Sequence, residues 1–333
     1  DAIPYYDKFW EHYDDSPYKA QVAVAGVHAL TANGRGEEAL DRLQGVIAEL
    51  ASIPGAHGLE EAINSYTRAY LDQHPAKELK EHYYNFPGID STNREAQALL
   101  RIALITVFEE QEKKADKDKD KAQLQAAQSM IKVLFDDLKN DFQPKQLTNY
   151  VLVRLGDYLR EKTSAKNQAL PYYQEVVGRE DQSYRFNAHF GIADILGETK
   201  PTEAIKSLEH VYQNAPKSNQ QEAALYRIVT ILAGKKDWSL VTERAKEYLG
   251  HKDGYRKYAA LVSGLLADSY RNRGMREDAI AAYSKVLGAF TGYIEVSAPA
   301  VYHIMDLTWK RGGDGDRQMA YETGWKYCQQ TEH

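Results

Sequence analysis

The sequence predicts an all-α protein, a right-handed α–α superhelix (solenoid) of antiparallel helix pairs, and three observations carry that reading. Apolar residues recur with a period near 3.6 along almost the whole chain and almost nowhere with a period of 2. Turn glycines such as Gly34 and Gly274 stand between periodic segments, where a helix end favours left-handed backbone. Small residues such as Gly156, Gly191 and Ala267 recur at matched places, which lets paired helices approach closely.

Taken in order, the pattern places helices at 3–14, 18–33 and 36–51. Leu30, Gly34, Ala39, Leu43 and Val46 mark the second of these, its turn and the third. Helices follow at 58–73, 76–85, 92–115 and 121–140. Asn85, Phe86, Pro87 and Gly88 interrupt them, because proline has no N–H and a fixed φ. The run 112–121 alternates lysine with acidic residues and reads as an exposed, mobile turn between two long helices.

The chain divides into irregular helical repeats at 1–145 and a second set of repeats at 146–333, continuous with the first, whose spacing stretches from 35 residues toward 38 to 40. Helices at 146–162 and 167–178 carry Leu155, Gly156 and Leu159, then Ala169, Tyr173 and Val176. Those at 183–197 and 201–214 carry Phe190 and Gly191, then Ala204, Leu208, Val211 and a terminating Pro216. Gly156 and Gly191 lie 35 residues apart. Helices at 218–234 and 237–249 precede the clearest pair, at 254–273 and 276–290. Its first helix has Leu261, Leu265, Leu266 and Tyr270 on a packing stripe, with Ala267 beside them. Asn272, Arg273 and Gly274 form the turn, Glu277 and Asp278 open the second helix at its positive end, and Ala279, Tyr283, Val286 and Leu287 follow. The last pair, 297–311 and 314–329, presents Trp309, Tyr321 and Trp325, with Asp314 as the expected N-cap.

The pair spanning 258–287 resembles the tetratricopeptide repeat. That family has a Leu-Gly or Leu-Ala pair and then an aromatic in its first helix, here Leu266, Ala267 and Tyr270. A turn glycine follows, here Gly274, and then an alanine and an aromatic in the second helix, here Ala279 and Tyr283. The family's early tryptophan is replaced by Ser263, and its closing proline is missing from this pair. The 35-residue spacing is close to the family period of about 34 residues.

Composition narrows the function. A net charge of −6 argues against non-specific nucleic-acid binding, which needs a basic surface. The single cysteine, Cys328, allows no internal disulfide and no cysteine-based metal cluster. No run of about 18 apolar residues is present to span a membrane. A first residue other than methionine leads us to expect a processed or excised chain, and a bacterial extracytoplasmic (periplasmic) location, with the cytoplasm as the alternative.

Catalytic and metal motifs do not assemble. Asp116, Asp118 and Asp120 have the spacing that opens a calcium loop, but Lys121 stands where its glycine is needed. The ten histidines, among them His189, His210 and His333, form no zincin pattern. Gly234, Lys235 and Lys236 lack the earlier glycine and the following Ser or Thr of a phosphate loop. No cofactor and no metal is therefore expected. The aromatic clusters Tyr5 and Tyr6, Phe9 with Trp10 and Tyr13, Tyr83 with Tyr84 and Phe86, and Tyr172 with Tyr173 suit wedge-filling better than sugar stacking.

The resemblance implies a concave face lined by the first helix of each pair. Polar residues beside the packing stripes there are Tyr150, Arg154, Asp157, Arg185, His189, Asp268, Arg271 and Asn272, and these are the expected partner contacts. The expected function is a non-catalytic scaffold that holds a protein or peptide in its groove, in a bacterial envelope complex. A glycan- or small-ligand-binding protein or enzyme built on the aromatic and acidic residues is the alternative, and a helical stalk of a longer protein is a third. A homodimer through the C-terminal helices is a further expectation.

Overall fold

The computed structural model describes residues 2–13, 16, 18–53, 55–251 and 254–331. The Trp10 side chain and His333 lie outside the described residues. Among those described, every regular element is helical, and the chain is an all-α helical-repeat protein. Packing divides it into two compact units, Asp1–Tyr184 and Arg185–His333. The expected division at 145/146 rests on the repeat pattern and lies within the first of these units.

The first unit contains α1 (Ile3–His12), α2 (Lys19–Ala32), α3 (Gly36–Ala51), α4 (Leu59–Leu71) and α5 (Ala76–Tyr84). It continues with α6 (Arg94–Asp118), α7 (Lys121–Asp141), α8 (Asn149–Lys162) and α9 (Leu170–Gly178). Neighbours α2 and α3, α3 and α4, α6 and α7, and α8 and α9 pack on one another. Helix α6 also meets α3, α4, α5 and α8. Leu99, Leu100, Ile102, Ala103, Leu104 and Ile105 are all buried, so α6 is apolar around most of its circumference and forms the middle of the unit. The interruption expected after residue 84 is present: α5 stops there and Phe86 is buried.

The charged run does not form the expected mobile turn. Helix α6 continues through Asp118 and buries Ala115, and the turn is only Lys119, at φ 59°, and Asp120. The Asp120 carboxylate accepts the N–H groups of Ala122 at 3.1 Å and Gln123 at 3.0 Å, capping α7. Alternating charges limit burial, but opposite charges three or four residues apart support a helix.

The second unit contains α10 (Arg185–Leu196), α11 (Pro201–Asn214), α12 (Ser218–Gly234) and α13 (Trp238–Leu249). Helices α14 (Ala259–Asn272), α15 (Arg276–Phe290), α16 (Ile294–Arg311) and α17 (Asp314–Thr331) complete it. Each packs on the next, while α12 touches α14 and α14 touches α16. The first helices of the last three pairs are thus in direct contact. Ala267 and Ala279 are fully buried, and Tyr283, Val286, Val296 and Ile304 close around them. Gly274 takes φ +75°, the left-handed turn expected of it.

Helix starts differ from expectation by three residues or more at four places; α8 begins at Asn149, not 146, and α9 at Leu170, not 167. Helix α14 starts at Ala259, not 254, because other groups hold the backbone before it. Buried Glu222 accepts Lys257 N–H at 2.7 Å, and the Tyr248 hydroxyl oxygen accepts Tyr258 N–H at 2.9 Å. Helix α16 starts at Ile294, not 297, and encloses Pro299. Asp314 is the first residue of α17, and it is Asp316 that accepts the Gly313 N–H, at 3.2 Å.

Candidate functional site

A repeated three-residue device occupies part of the expected groove. In α8, Gly156 lets α9 approach so closely that Tyr173 is fully buried, and its hydroxyl donates to Asp157 at 2.7 Å. Arg160 pairs with the same carboxylate at 3.1 Å. Burial pushes the Asp157 carboxyl up, against the opposing pull of Tyr173 and Arg160. The device returns in α14 and α15. There the Tyr283 hydroxyl donates to Asp268 at 2.5 Å, Arg271 Nε donates to the Tyr283 oxygen at 3.1 Å, and the Arg271 guanidinium lies 3.5 Å from Asp268. In α4 and α5 a hydroxyl pair, Thr67 with Tyr83 at 2.5 Å, spans a similar sequence separation.

The other expected contacts are distributed over both units. Arg154 donates to Glu109 at 2.8 Å, and Tyr150 packs its ring on Tyr184 at 5.5 Å. Arg185 opens α10, and Asn272 donates to the Asp268 carbonyl at 2.8 Å. His189 is buried, with its ring 4.5 Å from that of His210 and its Nδ1 lacking a protein partner.

Burial, helped by the nearby His210 and Arg185, lowers the His189 pKa to about 4. An unfolded histidine takes a proton near pH 6.5, which the folded one refuses. Stability carried by neutral His189 is therefore intact above pH 6.5 and lost as pH falls toward 4. After allowance for solvent screening, the loss by pH 4 is on the order of 2 kcal/mol. Urea midpoints at pH 7.5, 6 and 4.5 should fall less steeply for His189→Gln than for the wild type. Parallel slopes would show that His189 does not carry the effect.

Two hollows run together on the second unit. One, of 530 Å³, is bordered by Asp194 of α10 and Gly197 just beyond it, and by Tyr226, Arg227 and Thr230 from α12. The other, of 290 Å³, shares Tyr226 and Thr230 and adds Leu261, Asp268, Glu295 and Pro299. Together they form a groove along α10, α12, α14 and α16. Within it Arg227 pairs with Asp194 at 2.7 Å and lies over the Phe190 ring at 4.7 Å. Tyr226 stacks flat on Tyr258 at 4.2 Å. Leu261, expected on the packing stripe, is 40% exposed in the groove. Pro299 has no N–H to give the Glu295 carbonyl one turn back, so that acceptor lacks its helical donor at the groove wall.

The first unit has hollows of its own. One, of 540 Å³, takes in Arg154 and Asp157 together with Glu109, Lys132 and the stacked rings of Phe135 and Tyr158. Another, of 520 Å³, is bordered by Glu60, Leu99, Asn149, Tyr150 and Tyr184. Of the partner contacts expected by sequence reasoning, Tyr150, Arg154, Asp157 and Asp268 border these hollows. It missed Glu60, Asp194, Tyr226 and Arg227, which carry no motif and become neighbours only when helices stack. Among the described residues no group of three or more His, Cys, Asp or Glu is placed to hold a metal, and no helix is long and apolar enough to cross a membrane.

A family model of the tetratricopeptide repeat matches residues 265–290, the stretch holding Leu266, Tyr270, Gly274, Ala279 and Tyr283. Among solved structures, the crystal structure of the P58(IPK) tetratricopeptide domain aligns at 12% identity over 98% of this chain and 93% of that one, with a TM-score of 0.24. No curated protein sequence matches. The stretch 265–290 is similar to a tetratricopeptide repeat, and repeats of this kind generally mediate protein–protein interaction.

Proposed function

We propose that this tetratricopeptide-like chain is a non-catalytic scaffold that holds an extended segment of a partner protein along the inner face of its second unit. The observation carrying the reading is the run of two hollows bordered by α10, α12, α14 and α16. Exposed apolar surface at Leu261 gives a buried side chain somewhere to go. The Glu295 carbonyl offers an acceptor that a peptide N–H would satisfy. Asp268 borders the groove, while Arg271 and Asn272 hold Asp268 and its helix end in place. The first-unit hollow with Arg154 and Asp157 is a second contact area in the same proposal.

The test is affinity capture from separate bacterial envelope and cytosolic extracts, with wild-type and Leu261→Glu columns. The charge enters an exposed apolar site, so the variant should stay folded, which circular dichroism checks. Retention of a defined partner should weaken at least about tenfold on the variant column, the equivalent of one ~1.4 kcal/mol contact. Equal retention by both columns would reject the groove. Capture from the envelope extract would support the proposed extracytoplasmic address, and capture from the cytosol would oppose it. A homodimer is also part of the proposal, supported by the exposed Tyr302, Trp309, Tyr321 and Trp325 of α16 and α17. Sedimentation of the same preparations reads that state directly.

A further inference from the structure

The first unit contains a pocket whose chemistry suits one kind of ligand group. We infer that the hollow bordered by Glu60, Tyr150 and Tyr184 takes the guanidinium of an arginine side chain presented by a partner peptide. This rests on the protein-partner reading but concerns a different site from the groove of the second unit.

Glu60 lies in the first turn of α4, partly buried, and no hydrogen bond or ion pair to it is present among the described residues. Burial pushes its carboxyl up, as expected for an acid withdrawn from water without a counter-charge. Its charge acts to raise the hydroxyls of both Tyr150 and Tyr184, although burial is the larger cause in each and Arg154 opposes the rise at Tyr150. The two rings stand 5.5 Å apart at 36°, forming a wedge and not a closed stack. Tyr184 is 39% exposed, and its backbone is held at φ 60°, a conformation that bulky residues rarely adopt.

The cations already at the pocket leave Glu60 uncompensated. Arg179 donates to the carbonyls of Pro144 and Leu147 and to Asn149 Oδ1, and it pairs with Glu175 at 3.2 Å. Lys145 is exposed and has no ion pair among the described residues. Of the acids, Glu95 accepts the Gly55 N–H at 3.3 Å, and Asp181 accepts from Asn149 at 3.0 Å. What remains is an unpaired carboxylate beside two aromatic rings. A planar cation satisfies both: its face lies on a tyrosine ring while its edge gives two N–H groups to the carboxylate. A lysine ammonium could meet the charge but not the flat stacking.

The probe is acetyl-Gly-Arg-Gly-amide, titrated into the full chain and followed by NMR. Its partner probe carries citrulline, in which a neutral urea of nearly the same shape replaces the guanidinium. Saturable binding of the arginine probe is expected, with the citrulline probe at least about tenfold weaker. Glu60→Gln should weaken the arginine probe by about tenfold, and Tyr184→Leu by several-fold, with melting temperatures confirming that both variants fold. Leu240→Gln, at an exposed position of the other unit away from both hollows, should leave this binding unchanged. Equal affinity for the two probes, undiminished binding by Glu60→Gln, or no saturable binding by the wild type would each overturn the assignment. None of those results touches the capture experiment, so the two readings fail separately.

Discussion

Tyr173→Ala is expected to cost about 3–5 kcal/mol of unfolding free energy, the usual range for removing a large buried aromatic. The ring is fully buried between α8 and α9, so truncation leaves a cavity its neighbours cannot fill. The loss has a second component. The Tyr173 hydroxyl is a donor to Asp157, a carboxylate already destabilised by burial. Tyr173→Phe isolates that component and should cost about 1–2 kcal/mol, since Arg160 still compensates the charge. Urea denaturation of the two variants beside the wild type gives both numbers. If the phenylalanine variant proved as unstable as the alanine one, packing of the ring would not be the main term, and the wedge account of this repeat would fail.

Gly156→Ala should destabilise by about 1–3 kcal/mol, reversing the sign usual for such a change in a helix. Alanine at an interior helical position ordinarily gains up to about 1 kcal/mol over glycine. At Gly156, however, an added Cβ would sit 2.8 Å from two ring carbons of Tyr173 and 3.2 Å from a third. That ring is enclosed and tied to Asp157, so it cannot swing aside. Gly45 in α3 is the internal comparison: nothing lies within 4 Å of its added Cβ. Gly45→Ala should therefore raise stability by about 0.5–1 kcal/mol. Thermal melts of the two variants should move in opposite directions. A stabilised Gly156→Ala would mean that α8 and α9 are not pressed together at this point.

Much of the fold is legible in the chain because helix burial is periodic. Leu43, Val46 and Ile47 in α3, or Leu208 and Val211 in α11, are buried at the spacing that predicts them. Where the period meets no competitor, helix ends follow it closely. Residues 254–258 failed that logic because Glu222, far away in sequence, takes the Lys257 N–H. Residues 116–118 depart because alternating charge suggests a turn, whereas helix formation needs neither apolar residues nor burial. The candidate sites were only half legible. Asp157 and Asp268 stand out as polar residues beside packing stripes, but each already serves a buried tyrosine hydroxyl. Nothing in the sequence marks Glu60 as unpaired, because an ion pair depends on which helix packs alongside.

The sequence by itself determined the class of fold, the succession of helices and the repeat at residues 265–290. Each follows from interactions within about one helical turn or between adjacent segments, and those are written linearly. Tertiary structure alone decided which carboxylates are spoken for, that Leu261 is left partly uncovered, and that Tyr150 meets Tyr184 beside Glu60. Those outcomes depend on contacts between residues tens of positions apart. The same carboxylate is a fastener when a tyrosine reaches it and an open binding group when nothing does.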